Sequence, residues 1–344
     1  MEDLNFVERW HSDAFKNREL AYQIYDDVKN KLKIIPHPFT GWRSHPSQKL
    51  KTISINKNGL RNIEIEDLNK NLKNCFVLGG SVAWGFGASA NDKILSYQIE
   101  EILKREYKLE YNVINLAEQS YSSIEEINSF TFSFHELNPS MIIIFSGIND
   151  INFEYNNTYK KFLAYEEFIN FYLWGDKLGV FRERNFFKLF LKFIFRFFRK
   201  DKKLNDNYYY YKKPEKNNIA FKLYQMKIDF IKNYCEQKKI PVFNFLQPDL
   251  FFKKNKSKFE IDYEVFEGSD KREFTINKLK LFEKEFFSNH CNTKFLKNLS
   301  LLNCFDHSEK TLFVDRSHVA DEGYEIIAKK ISSFINDNKE ILFK

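Results

Sequence analysis

The chain has 344 residues, 43% of them hydrophobic, which is ample for a buried core in one large domain or two small ones. Its net charge of +7 is concentrated: Arg182 to Lys203 holds nine basic and two acidic residues and the remainder is formally neutral, which excludes a general nucleic-acid binder. The absence of any run of about 18 apolar residues excludes a spanning helix.

The first residues, Met1-Glu-Asp-Leu-Asn-Phe-Val-Glu-Arg-Trp10, lack the basic-then-apolar pattern of a secretory signal. Cys75, Cys235, Cys291 and Cys304 show neither zinc-site nor disulfide-scaffold spacing. The expectation is a cytoplasmic chain with reduced thiols.

Residues 1 to about 35 read as helical, with charged residues between Phe6, Trp10, Phe15, Leu20 and Val28. Pro36, Pro38, Gly41 and Pro46 mark the next stretch as loop. Lys51 to Arg61 alternates and meets the turn pair Asn58-Gly59, as a short hairpin would. Residues 1–70 therefore read as an N-terminal extension packed on the main domain, which takes up residues 71–344.

From residue 71 the pattern is strand, helix, strand. Apolar runs at 75–79, 111–116, 141–146 and 240–246 have the length and β-branched content of buried parallel strands. Helical stretches near 92–107, 122–136 and 219–238 separate them, which predicts an α/β sandwich with a mostly parallel sheet. Residues 151–218 interrupt this alternation as an insertion. In such sheets ligands bind at the carboxyl ends of the strands, and Ser81, Ser120 and Asn149 each fall just past a predicted strand.

Ser81 ends the run Cys75-Phe-Val-Leu-Gly-Gly-Ser81. Gly79 and Gly80 permit a tight turn and close approach, and a following helix would aim its first amides at the site. A plain tight turn is the alternative. Ala83 breaks the Gly-x-Ser-x-Gly elbow pattern, and neither a phosphate loop nor a dinucleotide fingerprint fits the glycine spacing. His318 follows Asp315 by three residues, close enough for the carboxylate to reach the ring and fix its tautomer; the alternative is a capping aspartate beside a surface histidine. Asn149 offers a side-chain amide to an oxyanion, or closes a strand as an Asx turn.

Taken in order, these blocks resemble the SGNH (GDSL-like) hydrolase family. Ser81 matches the block I serine, with Gly80 where the commonest form has Asp. Asn115-Leu-Ala-Glu-Gln-Ser120 is similar to block II, with Ser120 in place of its glycine; Asn149 in Gly147-Ile-Asn-Asp150 matches block III, and Asp315-Arg-Ser-His318 matches block V. The resemblance covers roughly residues 70–340. It implies a flavodoxin-like three-layer α/β/α sandwich with about five parallel strands. It also implies a Ser81 nucleophile, His318 as base then acid, Asp315 as its orienter, and no metal or cofactor. The oxyanion hole would be the amides of Ser81 and Ser120 with the Asn149 side chain. Ser120 still has an N–H to donate, provided the backbone there does not demand glycine.

In Asn185 to Lys200 the basic residues 188, 192, 196 and 199 share one helical face amid Phe, Leu and Ile. Peripheral membrane contact and a buried insertion helix or lid both fit this pattern. The expected activity is removal of an acyl group, acetyl above all, from a carbohydrate or other small hydroxylated ester substrate. Asn56-Lys-Asn-Gly59-Leu-Arg61, similar to a segment of SGNH proteins associated with surface polysaccharides, tilts the substrate toward glycans. O-acyl transfer with the same triad, a lipid esterase at the membrane surface and a silent binding protein are the alternatives.

Overall fold

A computed structural model of the protein describes residues 13–156 and 218–343. The chain divides into one unit formed by Met1–Asn152 and Ala220–Lys344 and a second, Phe153–Ile219. Nearly all of the second, with segment 185–200 and the membrane contact expected of it, lies outside the described residues, as do residues 1–12.

Among the described residues, the helix expected at the N-terminus runs over 18–31. Helix α1, Arg18–Asp26, starts where the Asn17 side chain accepts from the Leu20 N–H, and one wide turn, Asp27–Lys31, ends it. Pro36 forbids a helical continuation because it pushes Ile35 into extended backbone. The expected loop is instead a ribbon of β1 (Ile34–His37) and β2 (Gly41–Ser44), antiparallel, with Pro36 opposite Trp42. A small hairpin of β3 (Gln48–Lys49) and β4 (Ser54–Ile55) follows, one turn earlier than expected. Asn58-Gly59 does turn the chain, with Gly59 at φ 78° donating to the Asn56 carbonyl, but it joins no strands.

The main body begins with β5 (Lys73–Gly79), the single-turn helix α2 (Ser81–Trp84) and α3 (Leu95–Tyr107). Then come β6 (Tyr111–Asn115), α4 (Ser123–Leu137), β7 (Pro139–Ser146) and α5 (Ile148–Tyr155). After the insertion follow α6 (Ile219–Lys238), β8 (Val242–Leu246), α7 (Lys258–Glu267), α8 (Ser269–Phe286), β9 (Leu296–Ser300) and α9 (Asp321–Asp337). Strands β5 to β9 form one all-parallel sheet in the order β6-β5-β7-β8-β9.

The period-two side-chain alternation of the strands sorts the core into two layers. Cys75, Val77, Met141, Ile143, Phe145, Phe243 and Phe245 join the cluster holding residues of α1, α3 and α9. Their neighbours Phe76, Leu78, Ile142, Ile144, Val242 and Leu246 join the cluster holding residues of α4, α5, α6 and α8. This is the three-layer α/β/α sandwich, in the doubly wound order whose switch point lies at the carboxyl ends of β5 and β7. Four strands were legible as apolar runs. β9 was not, because Leu-Lys-Asn-Leu-Ser is a half-exposed edge strand with little apolar signal. Among the described residues no helix is long and apolar enough to cross a membrane, and all four cysteines are unpaired.

Candidate active site

The chain leaves β5 through Gly79-Gly80 and enters α2 at Ser81. Gly80 is dictated by crowding: a Cβ there would stand 2.3 Å from Asn149 Nδ2 and 3.1 Å from the Tyr121 carbonyl oxygen. The backbones that follow β5, β6 and β7 thus meet at one point. The helix after Ser81 is short, Ser81–Trp84. It closes one turn, with Trp84 N–H donating to Gly80 O at 3.0 Å and Gly85 N–H to Ser81 O at 3.1 Å. So short a helix has little macrodipole to contribute.

His318 arrives from the loop before α9. A tight return holds that loop: Phe313 bridges Val319, and Val314 N–H donates to His318 O at 2.9 Å. Asp315 is buried at its tip and uses both oxygens. Oδ1 accepts the N–H groups of Ser317 at 2.9 Å and His318 at 2.8 Å, while Oδ2 accepts the His318 ring at Nδ1, 2.6 Å away. Burial works to raise the Asp315 carboxyl, but the His318 charge, its ring N–H and these two backbone donors outweigh it, and the pKa falls below the ordinary 3.8. A carboxylate at Nδ1 puts the ring proton there and leaves Nε2 as an acceptor. Nε2 stands 2.7 Å from Ser81 Oγ, so the hydroxyl donates to it across 237 residues of sequence. The Phe86 ring packs against the imidazole at 4.0 Å between centroids, limiting its rotation.

Asn149 is the second residue of α5, reached through Gly147 at φ 120°. Its Nδ2 donates one hydrogen to Tyr121 O at 2.8 Å, which orients the amide and leaves the second hydrogen for another acceptor. Asp150 beside it is buried and caps α4, accepting from Ser123 N at 3.2 Å and Ser123 Oγ at 3.0 Å.

Ser120 answers the condition set by its sequence: its φ is 62°, the left-handed region that favours glycine. A serine can occupy it at a cost of about 1–2 kcal/mol. The structure thus brings Ser81, Asp315 and His318 into one hydrogen-bonded line and sets Asn149 and the Tyr121 carbonyl against Gly80.

Several supporting residues escaped the sequence reading. Arg316 is buried between Asp315 and Ser317, pairs with Asp249 at 3.2 Å and bonds Thr275 Oγ1 at 3.3 Å and the Asn152 side chain. Burial pushes Asp249 up to about 6 against the pull of Arg316. Glu118 is buried in the turn before Ser120. A charged residue inside a motif block was the available signal for both, but burial is what gives it meaning.

No protein-family model matches the chain, and no curated protein matches it. Among solved structures the chain is similar to the lipase Lip_vut3 from a goat rumen metagenome, at 15% identity over 76% of this chain and 96% of that one, TM-score 0.43. It is similar to a mutant of an acetyl-xylooligosaccharide esterase from Geobacillus Stearmophilus at 12% identity, over 77% and 94% of the two chains, TM-score 0.40. A further similarity is to an acetyl xylan esterase, at 12% identity over 76% and 99%, TM-score 0.38.

Proposed function

We propose that the protein is a serine ester hydrolase with Ser81 as nucleophile, His318 as base and then acid, and Asp315 as the group that orients the imidazole and stabilises its charged form. The observation that carries this reading is the continuous line Ser81 Oγ to His318 Nε2 at 2.7 Å and His318 Nδ1 to Asp315 Oδ2 at 2.6 Å. It has the order that nucleophilic catalysis needs, a hydroxyl on a base and the base on a buried carboxylate.

Ser81 Oγ attacks the ester carbonyl as its proton passes to Nε2, and the imidazolium formed is stabilised by the lowered, ionised Asp315. The tetrahedral oxyanion accepts hydrogen bonds from the Ser81 and Ser120 N–H groups and the second Nδ2 hydrogen of Asn149. Collapse expels the alcohol, which takes the proton from Nε2. Water activated by the same nitrogen then releases the acid and restores Ser81.

The substrate assigned is an acyl ester, acetyl above all, of a carbohydrate or similar small hydroxylated molecule. Its support is the Asn56–Arg61 segment of the sequence, and product analysis separates release to water from transfer to a sugar hydroxyl. Hydrolysis of p-nitrophenyl acetate is the primary test: Ser81→Ala should lower kcat/KM about 10⁴-fold or more. Equal rates for the two proteins would remove the hydrolase reading. A lipid-directed activity through residues 185–200 predicts co-sedimentation with anionic liposomes at low salt, and no binding there sinks it.

A further inference from the structure

Position 120 carries a serine where a left-handed backbone favours glycine, in a turn closed locally by the Tyr121 N–H donating to the Glu118 carbonyl at 3.3 Å. Tertiary bonds fasten that turn on both sides. On one side of Ser120, the Gln119 carbonyl accepts the indole N–H of Trp42 at 2.8 Å. On the other, the Tyr121 carbonyl accepts Asn149 Nδ2 at 2.8 Å, and the Tyr121 hydroxyl donates back to the Trp42 carbonyl at 2.7 Å. The rings of Trp42 and Tyr121 meet edge to face at 5.7 Å.

One residue further back, buried Glu118 clips the turn to the same strand. Its Oε2 accepts the Ser44 N–H at 2.6 Å and its Oε1 accepts the Gln119 N–H at 2.8 Å. Trp42 and Ser44 are two residues apart on β2, so both attachments come from one short strand, itself paired along its length with β1. Arg43 between them bonds the His37 ring and the Asn58 carbonyl, tying the ribbon to the turn that follows it.

We infer that the β1–β2 ribbon is a brace for the oxyanion hole, and that Trp42 and Glu118 are positioning residues which hold Ser120 in the conformation a glycine would adopt unaided. The inference rests on the hydrolase reading above. An oxyanion donor stabilises the transition state only if it is aimed before the charge develops. Without the brace, Ser120 relaxes toward negative φ, the peptide on its N-terminal side rotates, and its N–H leaves the site. Substrate still binds, so the loss falls on kcat.

The test is a double-mutant cycle on the full chain with p-nitrophenyl acetate, using Ser81→Ala as the inactive control. Glu118→Gln keeps the side-chain size but sets an NH₂ against one of two N–H donors. Trp42→Phe keeps the ring and removes the indole donor. Each should lower kcat about 10- to 100-fold with KM within about twofold. Adding Ser120→Gly to either variant should recover about fivefold or more, because glycine takes the left-handed backbone without cost.

A residue that merely supports the fold behaves differently, since a glycine beside the lesion adds flexibility and lowers the rate further. Circular dichroism checks folding, and Glu118→Gln carries the test if Trp42→Phe does not fold. With Ser81→Ala inactive, kcat within twofold of wild type for Glu118→Gln, or a loss that Ser120→Gly does not relieve, overturns the brace. An active Ser81→Ala overturns the hydrolase reading, and the brace with it.

Discussion

At the scale of single residues, the site depends on how closely backbones approach as much as on its reactive groups. Gly80 has φ −91° and ψ −153°, which any residue can adopt, so its identity answers only to the Asn149 amide and Tyr121 carbonyl pressed against it. Gly80→Ala should therefore act by displacing Asn149. We expect a fall of about 10- to 100-fold in kcat, against about 100- to 1000-fold for Asn149→Ala, and a double variant no worse than Asn149→Ala alone. Additive losses would show that Gly80 serves something other than the amide. Ser81, Asn149, Asp315 and His318 were legible as candidates because the proposed chemistry requires particular side chains beside a predicted strand or helix end. Glu118, Arg316 and Trp42 were not, because their meaning comes from partners as far as 74, 164 and 79 residues away.

At the scale of elements, buried polar groups lock α4, β7 and α6 together beneath the site. Lys227 of α6 is fully buried and donates to Glu126 of α4 at 2.9 Å and to Ser146 at the end of β7 at 2.6 Å. With Asp150 capping α4, this ties the start of α5, and so Asn149, to the neighbouring helix. Breaking such a pair from one side strands a buried charge, so Lys227→Met should cost about 3–5 kcal/mol, read from denaturant unfolding. Burial pushes the Glu126 carboxyl up from 4.5 to about 7, against the pull of Lys227. A carboxyl that binds its proton more tightly when folded contributes most stability below its unfolded value and loses that contribution as pH rises through its folded value. Wild type should thus lose on the order of 1–3 kcal/mol relative to Glu126→Gln between about pH 4.5 and 7. A pH-independent difference between the two proteins would count against this coupling. The alternation that defines β5 and β7 was plain in the sequence, whereas β9 and the helices α7 and α8 carry weak or mixed patterns and were found only in the fold.

At the scale of the molecule, the residues before β5 are part of the core. Ile24, Ile53 and Ile55 sit in the same cluster as α3 and α9. Arg61 is buried, bonding Gly85 O at 2.7 Å and Thr52 O at 2.9 Å, with its guanidinium 4.7 Å from the Trp84 ring. Burial lowers its pKa only to about 10, so it keeps its charge at neutral pH. Arg61→Ala leaves the buried Thr52 carbonyl without a donor and the Gly85 carbonyl with only the Ala88 N–H, and should destabilise the protein on the order of 3 kcal/mol, seen as a lower Tm; an unchanged Tm would mean that water replaces the guanidinium without cost. The sequence by itself determined the sandwich, four of its strands and the candidate residues of the Ser81–His318–Asp315 line, because side-chain alternation and reactive groups are written locally. Only the tertiary structure decided that Ser81 and His318 meet across 237 residues, that the fifth strand completes the sheet, and that Ser120 takes a left-handed backbone under the β1–β2 ribbon. Those outcomes depend on which surfaces pack together and which polar groups are buried by it, and no local pattern encodes that.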